Sequence, residues 1–155
     1  MAGRSSSRFA VAVHALSVIA KEKAHAEMLG DHTTKCDAPS CSDWIARSVG
    51  TNPVVIRRLL GTLRDAGLVS SIAGPKGGFV LGRPARQIRL GDVYRLVEPD
   101  GAFALHDGSN QDCMVGKTMC GTLGLITEQA NAALAGDLDR WTLADVLTQV
   151  LEAAE

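Results

Sequence analysis

The sequence predicts a mainly α-helical fold with one small β-hairpin, and three observations lead to this prediction. Apolar residues recur at helical spacing through most of the 155 residues. Turn-forming residues 74–78, with the sequence Gly-Pro-Lys-Gly-Gly, separate two short strand-like runs. A short helix, a turn and a second helix directly precede this hairpin, which is the order of elements in a winged helix-turn-helix.

The first predicted helix is capped by one of the serines at positions 5–7 and runs to about Lys23. Its apolar residues recur at helical spacing. A polar loop is predicted over residues 24–41, and it contains histidines and cysteines. Loops of this length in compact domains are usually functional or disordered.

The helix after this loop is short. Ser42 is predicted to cap it, and it ends near Ser48. Trp44 and Ile45 are expected to face inward. We expect Trp44, like Trp141 near the end of the chain, to be a core anchor, because a large aromatic side chain buries much apolar surface.

The second helix of the pair has the strongest start signal in the chain. Asparagine caps helices well and proline suits the first helical position, so Asn52 and Pro53 predict where it begins. It is expected to stop at Gly67. Its apolar stripe consists of Ile56, Leu59, Leu60 and Leu63. Three basic residues lie outside the stripe: Arg57, Arg58 and Arg64.

The predicted hairpin strands are residues 68–72 and 79–81, and helices are predicted at about 90–97 and 115–135. Thr142 and Asp145 form part of a capping box for a last helix.

The net charge of −1 hides a strong asymmetry between the two parts of the chain. Residues 1–89 contain 13 basic and 6 acidic residues, whereas residues 90–155 contain 3 and 11. Residues 42–89 carry 8 basic and 2 acidic residues, and such an excess favours binding to phosphates. The acidic part has periodic apolar helices that need a partner, and a two-fold dimer supplies one.

Several segments resemble the Rrf2 family of bacterial transcriptional regulators. The resemblance is carried by residues 7–16, residues 52–60, residues 63–69, the hairpin segment 74–81 and residues 88–93. Beyond residue 98 the resemblance is looser and rests mainly on the sequence Cys-Met-Val-Gly-Lys that begins at Cys113.

The resemblance implies a winged helix-turn-helix that dimerises through a long C-terminal helix and usually represses transcription. Residues 1–98 are then the DNA-binding domain and residues 99–155 the dimerisation and sensing segment. Many family members hold a [2Fe–2S] cluster with three cysteines just before the long helix. Here that segment offers only Cys113 and Cys120. The sequence of residues 52–60 is more similar to a branch of the family that binds no cluster, so no cofactor is expected.

The expected partner is double-stranded DNA, bound by a homodimer at a palindromic operator. The N-terminal part of the second helix is expected to lie in the major groove, the hairpin to reach the flanking backbone, and the start of the first helix to meet a phosphate. The candidate contacts are Ser7, Arg8, Thr51, Asn52, Pro53, Val54, Val55, Arg57, Arg58, Lys76, Gly77 and Gly78.

The four cysteines form two pairs, Cys36 with Cys41 and Cys113 with Cys120, in or beside polar segments. Cys113 and Cys120 lie near a helix start, where the helix dipole favours the thiolate. One interpretation is a thiol switch, in which oxidation links the loop pair or joins it to the helix pair. Another is that the thiols are incidental.

Metal binding is the third interpretation of the cysteines. His32, Cys36 and Cys41 have plausible ligand spacing, and Cys113 or Cys120 could complete a site for zinc or an atypical iron–sulfur cluster. No Cys-x-x-Cys pair is present, so this signal is weaker than that of a typical zinc site.

Other functional classes find less support. No phosphate-binding glycine motif or Gly-x-Ser-x-Gly motif is present, so an enzyme is not expected. A winged-helix protein-interaction module without DNA binding remains an alternative. No apolar run approaches the ~20 residues of a membrane helix. The apolar stretch after Arg8 resembles a secretory signal, but His14 interrupts it and the charged residues 21–23 separate it from the small-residue site at 24–26, so a cytoplasmic location is expected.

Overall fold

The computed structural model describes residues 7–29, 41–74, 77–103 and 112–154, with the backbone alone for 22–29. Within these ranges the fold is mainly helical with one two-stranded antiparallel sheet, as predicted. The elements are α1 (Arg8–Leu29), α2 (Ser42–Val49), α3 (Pro53–Asp65), β1 (Val69–Ile72), β2 (Gly78–Leu81), a short 3-10 helix (Ala85–Gln87), α4 (Leu90–Val97), α5 (Met114–Leu138) and α6 (Leu143–Glu152).

The first helix is longer than predicted. It continues past Lys23 to Leu29, so residues 24–29 are helical and not part of a loop. The rest of the predicted loop, including His32 and Cys36, lies outside the described residues. Of the apolar stripe expected on α1, Leu16 and Ala20 are buried, whereas Phe9 and Val13 are half-buried, because Ala12, Ala15 and Ile19 fill the core beside Leu16.

The helix-turn-helix is formed by α2 and α3. Gly50 adopts a left-handed conformation (φ 74°) that favours glycine and ends α2. Two details differ from the prediction. Cys41, not Ser42, occupies the N-cap position of α2, and it makes no side-chain capping bond. Trp44 is 40% exposed, because Ile45 and Ala46 are the residues of α2 that enter the core.

The hairpin projects from the end of α3. Val69 pairs with Leu81 and Ile72 with Gly78. Val69 is buried, whereas the rest of β1 is exposed, so the hairpin packs on the core at its base. This is the predicted wing.

The C-terminal helix α6 returns to the N-terminal helices. Leu143 is fully buried, and its N–H donates to the carbonyl of Ile88 at 2.9 Å. The Leu90 N–H donates to the carbonyl of Trp141 at 2.9 Å. Thr142 and Asp145 form a complete capping box. Trp141 itself is 43% exposed, so it contributes its backbone and is not the expected core anchor.

The long helix α5 packs against α4 at one point. Gly91 of α4 lies against Ala135 of α5, the one buried residue among the 25 of this helix. The guanidinium of Arg95 makes a bidentate ion pair with Asp139, with an Nη1–Oδ1 distance of 2.9 Å. None of the described helices is both long and apolar enough to cross a membrane.

Candidate nucleic-acid interface

The start of α3 is built as its sequence predicts. Asn52 occupies the N-cap, and its Oδ1 accepts the Val54 N–H at 2.8 Å. Pro53 follows as the first helical residue. Since reading an adenine with two contacts requires both the oxygen and the nitrogen of an asparagine amide, this bond assigns Asn52 to positioning the helix.

The outer surface of α3 combines apolar and basic groups. Val54 and Val55 are each 50% exposed, although valine is usually buried. Arg58 is exposed on the same helix, while Ile56, Leu60 and Leu63 hold the opposite face in the core. The exposed face can therefore offer methyl groups to thymine and a guanidinium to guanine.

A cleft of about 500 Å³, which we call the α1–α3 cleft, brings together three separated parts of the sequence. It includes five of the candidate contacts, Ser7, Arg8, Thr51, Val55 and Arg58. The other lining residues are Val11, Leu59, Thr62, Leu96, Val97 and Pro99. Two guanidinium groups and three hydroxyl groups line it, which is a donor set suited to phosphate oxygens.

Arg57 lies away from this cleft. Its Nε donates to Ser42 Oγ at 3.1 Å, and its Nη2 contacts Asp43 Oδ1 at 3.2 Å. These contacts tie α3 to the start of α2. The neighbouring Arg58 has no part in this link.

The wing contributes a tight turn. The Gly77 N–H donates to the Gly74 carbonyl at 2.9 Å, and a Cβ at position 77 would lie 2.8 Å from that carbonyl oxygen. Gly78 opens β2. Lys76, the expected wing-tip contact, lies outside the described residues.

Glu98 is a residue that sequence reasoning missed. Its Oε1 accepts the Phe9 N–H at 3.3 Å, so the carboxylate lies at the N-terminus of α1. The Phe9 ring packs edge-on against Tyr94 of α4, with ring centroids 5.8 Å apart. The two residues are separated by more than eighty positions, so no local pattern indicates the contact. Thr62, four residues after Arg58, was missed although helical spacing places it on the same face.

The described cysteines have different surroundings. Cys113 is exposed at the N-cap of α5, and Cys120 is half-buried two turns further along the helix. Cys41 is exposed at the start of α2. Among the described residues, no three His, Cys, Asp or Glu side chains are grouped closely enough to hold a metal ion.

The arrangement of α2, α3 and the wing defines this protein as a winged helix-turn-helix protein. The second helix of the motif, α3, carries exposed arginines. Residues 5–149 match the Rrf2 family, described as iron-dependent transcriptional regulators. The chain is 35% identical to YwnA of Bacillus subtilis (strain 168), named as an HTH-type transcriptional regulator, over 93% of this chain and 97% of YwnA. The chain therefore belongs to the Rrf2 family of transcriptional regulators.

Solved structures are similar over nearly the whole chain. The structure of T. potens IscR matches with a TM-score of 0.67 and 25% identity, covering 100% of this chain and 93% of IscR. A transcriptional regulator from Lactobacillus plantarum matches with a TM-score of 0.70 and 26% identity, covering 93% of this chain and 89% of the regulator.

The residues of this chain do not fit the three-cysteine iron–sulfur site of the family. The segment before and into α5 supplies two cysteines, Cys113 and Cys120. They are seven residues apart, which at ~1.5 Å per residue is about 10 Å along the helix axis. The third ligand of the set is missing from this segment, so no cluster chemistry is assigned to it.

Proposed function

We propose that this protein binds double-stranded DNA as a sequence-specific transcriptional regulator and acts as a repressor. The observation that carries the proposal is the α1–α3 cleft, where five of the expected contact residues meet. Membership of a family of transcriptional regulators supports the same function. In this proposal α3 lies in the major groove and the wing follows the flanking backbone.

The proposed contacts divide into two kinds. Val54, Val55 and Arg58 are directed to base edges, because they are exposed on the first two turns of α3. Ser7 and Arg8 bind a phosphate at the start of α1 through the serine hydroxyl and the guanidinium, since the Glu98 carboxylate already accepts the Phe9 N–H there. Thr51 and the wing glycines allow close approach of the sugar–phosphate backbone.

Salt dependence tests DNA binding against the alternative of a protein-interaction module. Neutralised phosphates release counterions, so the logarithm of the association constant should fall linearly with the logarithm of salt concentration. We expect a loss of about a thousandfold or more between about 50 and 200 mM salt for six or more phosphate contacts. Equilibrium binding to genomic operator fragments measures this. Affinity that is independent of salt and sequence would contradict the proposal.

We further propose that the regulator is a homodimer joined through α5. An apolar stripe runs along this helix at spacings of three or four residues, and it consists of Val115, Met119, Leu123, Ile126, Ala130 and Leu134. Its large members are exposed in the single chain. Two copies paired along this stripe would bury it and place two α3 helices for a palindrome. Footprinting should then reveal half-sites about one helical turn apart or a multiple of it.

The proposed signal is oxidation or modification of cysteine. An oxidant such as hydrogen peroxide converts a thiolate into a sulfenic acid with release of hydroxide, which takes up a proton to become water, and a second thiol condenses with the sulfenic acid to a disulfide with release of another water. Cys113 and Cys120 cannot pair within an intact α5, because their Cα separation exceeds the ~7 Å limit for a disulfide. The second thiol is therefore Cys36, Cys41 or a cysteine of another protomer.

Gel shifts of single serine variants test whether cysteine oxidation controls operator binding. We expect oxidant to weaken operator binding by the wild type and by Cys→Ser variants at uninvolved positions, and Cys113→Ser or Cys120→Ser to lose the response. An equal oxidant response in all four single variants would overturn the thiol switch. Stoichiometric iron or zinc in anaerobically purified protein would favour metal binding over the thiol switch. His32, Cys36 and Cys41 would then be the first candidate ligands.

A further inference from the structure

A second concave site, which we call the α4–α5 cavity, lies between α4 and α5. Its volume is about 760 Å³, within the range of roughly 300–1,000 Å³ that small-molecule sites occupy. Residues of α4, the segment 98–101 with Phe103, and α5 form its walls. No role in the proposed DNA contacts accounts for it.

The charge of this cavity is acidic. Glu98 and Asp100 line it from the segment 98–101, and Glu128 lines it from α5. Arg95 is the one basic side chain among the described lining residues, and it is already paired with Asp139 and Asp92. An anionic ligand would be repelled here, whereas a cation would be attracted.

Tyr94 provides an independent indication of a ligand. It lines the cavity and is 6% exposed, and its buried hydroxyl has no hydrogen-bond partner among the described residues. Buried hydroxyl groups are nearly always satisfied, because an unsatisfied one loses its hydrogen bonds to water without replacement. A bound polar group is one way to satisfy it.

The wall opposite α4 is held in a fixed shape. The Oδ1 of Asn131 on α5 accepts the Ala102 N–H at 3.0 Å and the Phe103 N–H at 3.4 Å. Gly101 has a left-handed conformation (φ 74°), and a Cβ there would collide with the Asn131 side chain. These contacts hold Phe103 beside the acidic groups, and an aromatic face binds cations and apolar ligand bodies.

We propose that the α4–α5 cavity binds a small organic cation, a primary amine with an apolar body. Its ammonium group donates to the Tyr94 hydroxyl and is attracted by the negative charges of Glu98, Asp100 and Glu128, and its body packs beside Phe103. Amine binding does not depend on the proposed DNA-binding function.

The position of Glu98 couples this cavity to the α1–α3 cleft. Glu98 lines the cavity and also accepts the Phe9 N–H at the start of α1, and Pro99 lines both sites. An ammonium group that draws on the Glu98 carboxylate competes with that N–H. Amine binding should then change operator affinity, and DNA should change amine affinity by the same factor. This coupling rests on the proposed DNA-binding function.

Titration calorimetry of the full chain with three probes of similar shape tests the site: phenethylamine, 2-phenylethanol and 3-phenylpropionate. We expect the amine to bind and the other two to bind at least about tenfold more weakly, because neither of them offers a positive charge to the acidic side chains. Glu128→Gln should weaken amine binding about tenfold or more, and Tyr94→Phe should weaken it several-fold. Glu152→Gln, on α6 and outside the cavity, is the matched control and should change nothing.

Equal affinity for the three probes, or amine affinity unchanged in both Glu128→Gln and Tyr94→Phe, would overturn the site. Operator binding with and without saturating phenethylamine tests the coupling, and an unchanged affinity would overturn it. Calorimetry contains no DNA, so failure of operator binding itself would count against the proposed function and leave the amine result intact.

Discussion

Arg57 and Arg58 are adjacent in the sequence but have different surroundings. Both lie outside the apolar stripe of α3, so the sequence pattern does not distinguish their roles. The structure pairs Arg57 with Ser42 and Asp43 and places Arg58 in the α1–α3 cleft. Successive residues on a helix point about 100° apart, which is enough to separate a structural contact from a ligand contact.

Alanine variants of the two arginines should separate these roles. We expect Arg58→Ala to weaken operator binding by about 1–3 kcal/mol, or roughly 5- to 150-fold in Kd. Arg57→Ala should change operator binding much less and lower the free energy of unfolding by about 0.2–1 kcal/mol, the range of exposed ion pairs. Binding isotherms and urea unfolding measure the two effects. A loss of operator affinity that is larger for Arg57→Ala than for Arg58→Ala would contradict these two roles.

At the scale of elements, the contact between α4 and α5 depends on a residue without a side chain. A Cβ at Gly91 would lie 2.7 Å from the Ala135 carbonyl oxygen and collide with Asp139. In contrast, a Cβ at Gly61 on α3 would have no neighbour within 4 Å. Helical glycines at these two positions therefore have opposite consequences for substitution.

Gly91→Ala should destabilise the protein by about 1–3 kcal/mol, because the two helices must separate to accept the methyl group. Gly61→Ala, the matched control, should be neutral or stabilise it by up to about 1 kcal/mol through its higher helix propensity. Thermal or urea unfolding measures both changes. Equal effects of the two substitutions would show that α4 and α5 do not approach so closely.

The Arg95–Asp139 ion pair gives the same contact a pH dependence. The hydrogen bond between Arg95 and Asp139 lowers the pKa of Asp139 below its ordinary value and raises the pKa of Arg95 above its ordinary value. A carboxylate whose pKa is lower in the folded state stabilises it above the unfolded pKa, and this contribution is lost as pH falls through the folded pKa.

We expect Asp139→Asn to be less stable than the wild type at neutral pH, and the difference to shrink once the pH falls below about 4. Urea midpoints measured from neutral to acid pH follow this difference. Asp137→Asn, which removes a more exposed carboxylate paired with Arg140, should cause a smaller loss at neutral pH. If Asp139→Asn is still less stable than the wild type by the same amount at the lowest pH, the charge of Asp139 does not cause the difference.

At the scale of the whole molecule, α5 is the element whose packing is incomplete. This 25-residue helix buries only Ala135, although most helical stability in proteins comes from the packing of an apolar face. Its apolar stripe and the acidic charge of residues 90–155 fit a surface that pairs protomers and stays away from DNA.

Ile126→Glu should convert the proposed dimer into a monomer, because two carboxylates would meet in the buried stripe. Leu125→Glu is the matched control: Leu125 is even more exposed (66% against 56%) but lies off the stripe, so its variant should remain dimeric. Sedimentation equilibrium measures the oligomeric state, and operator binding should weaken only in Ile126→Glu. A dimeric Ile126→Glu would place the interface elsewhere.

The local elements of this protein follow from its sequence. The cap at Asn52, the stripe of α3, the glycine-rich turn of the wing and the capping box at Thr142 all depend on residues a few positions apart, and the structure contains each of them. The local charge excess and the family resemblance are also properties of the sequence, and both indicate a DNA-binding regulator.

The meeting of distant residues, in contrast, depends on tertiary packing. Both tryptophans lie at the surface, because neighbouring residues fill the core positions that aromatic size alone assigns to them. Packing also joins Glu98 to Phe9, Arg95 to Asp139 and the start of α1 to α3. Contacts of this kind depend on how helices cross, and helix periodicity gives the face a residue occupies but not the partner that covers that face.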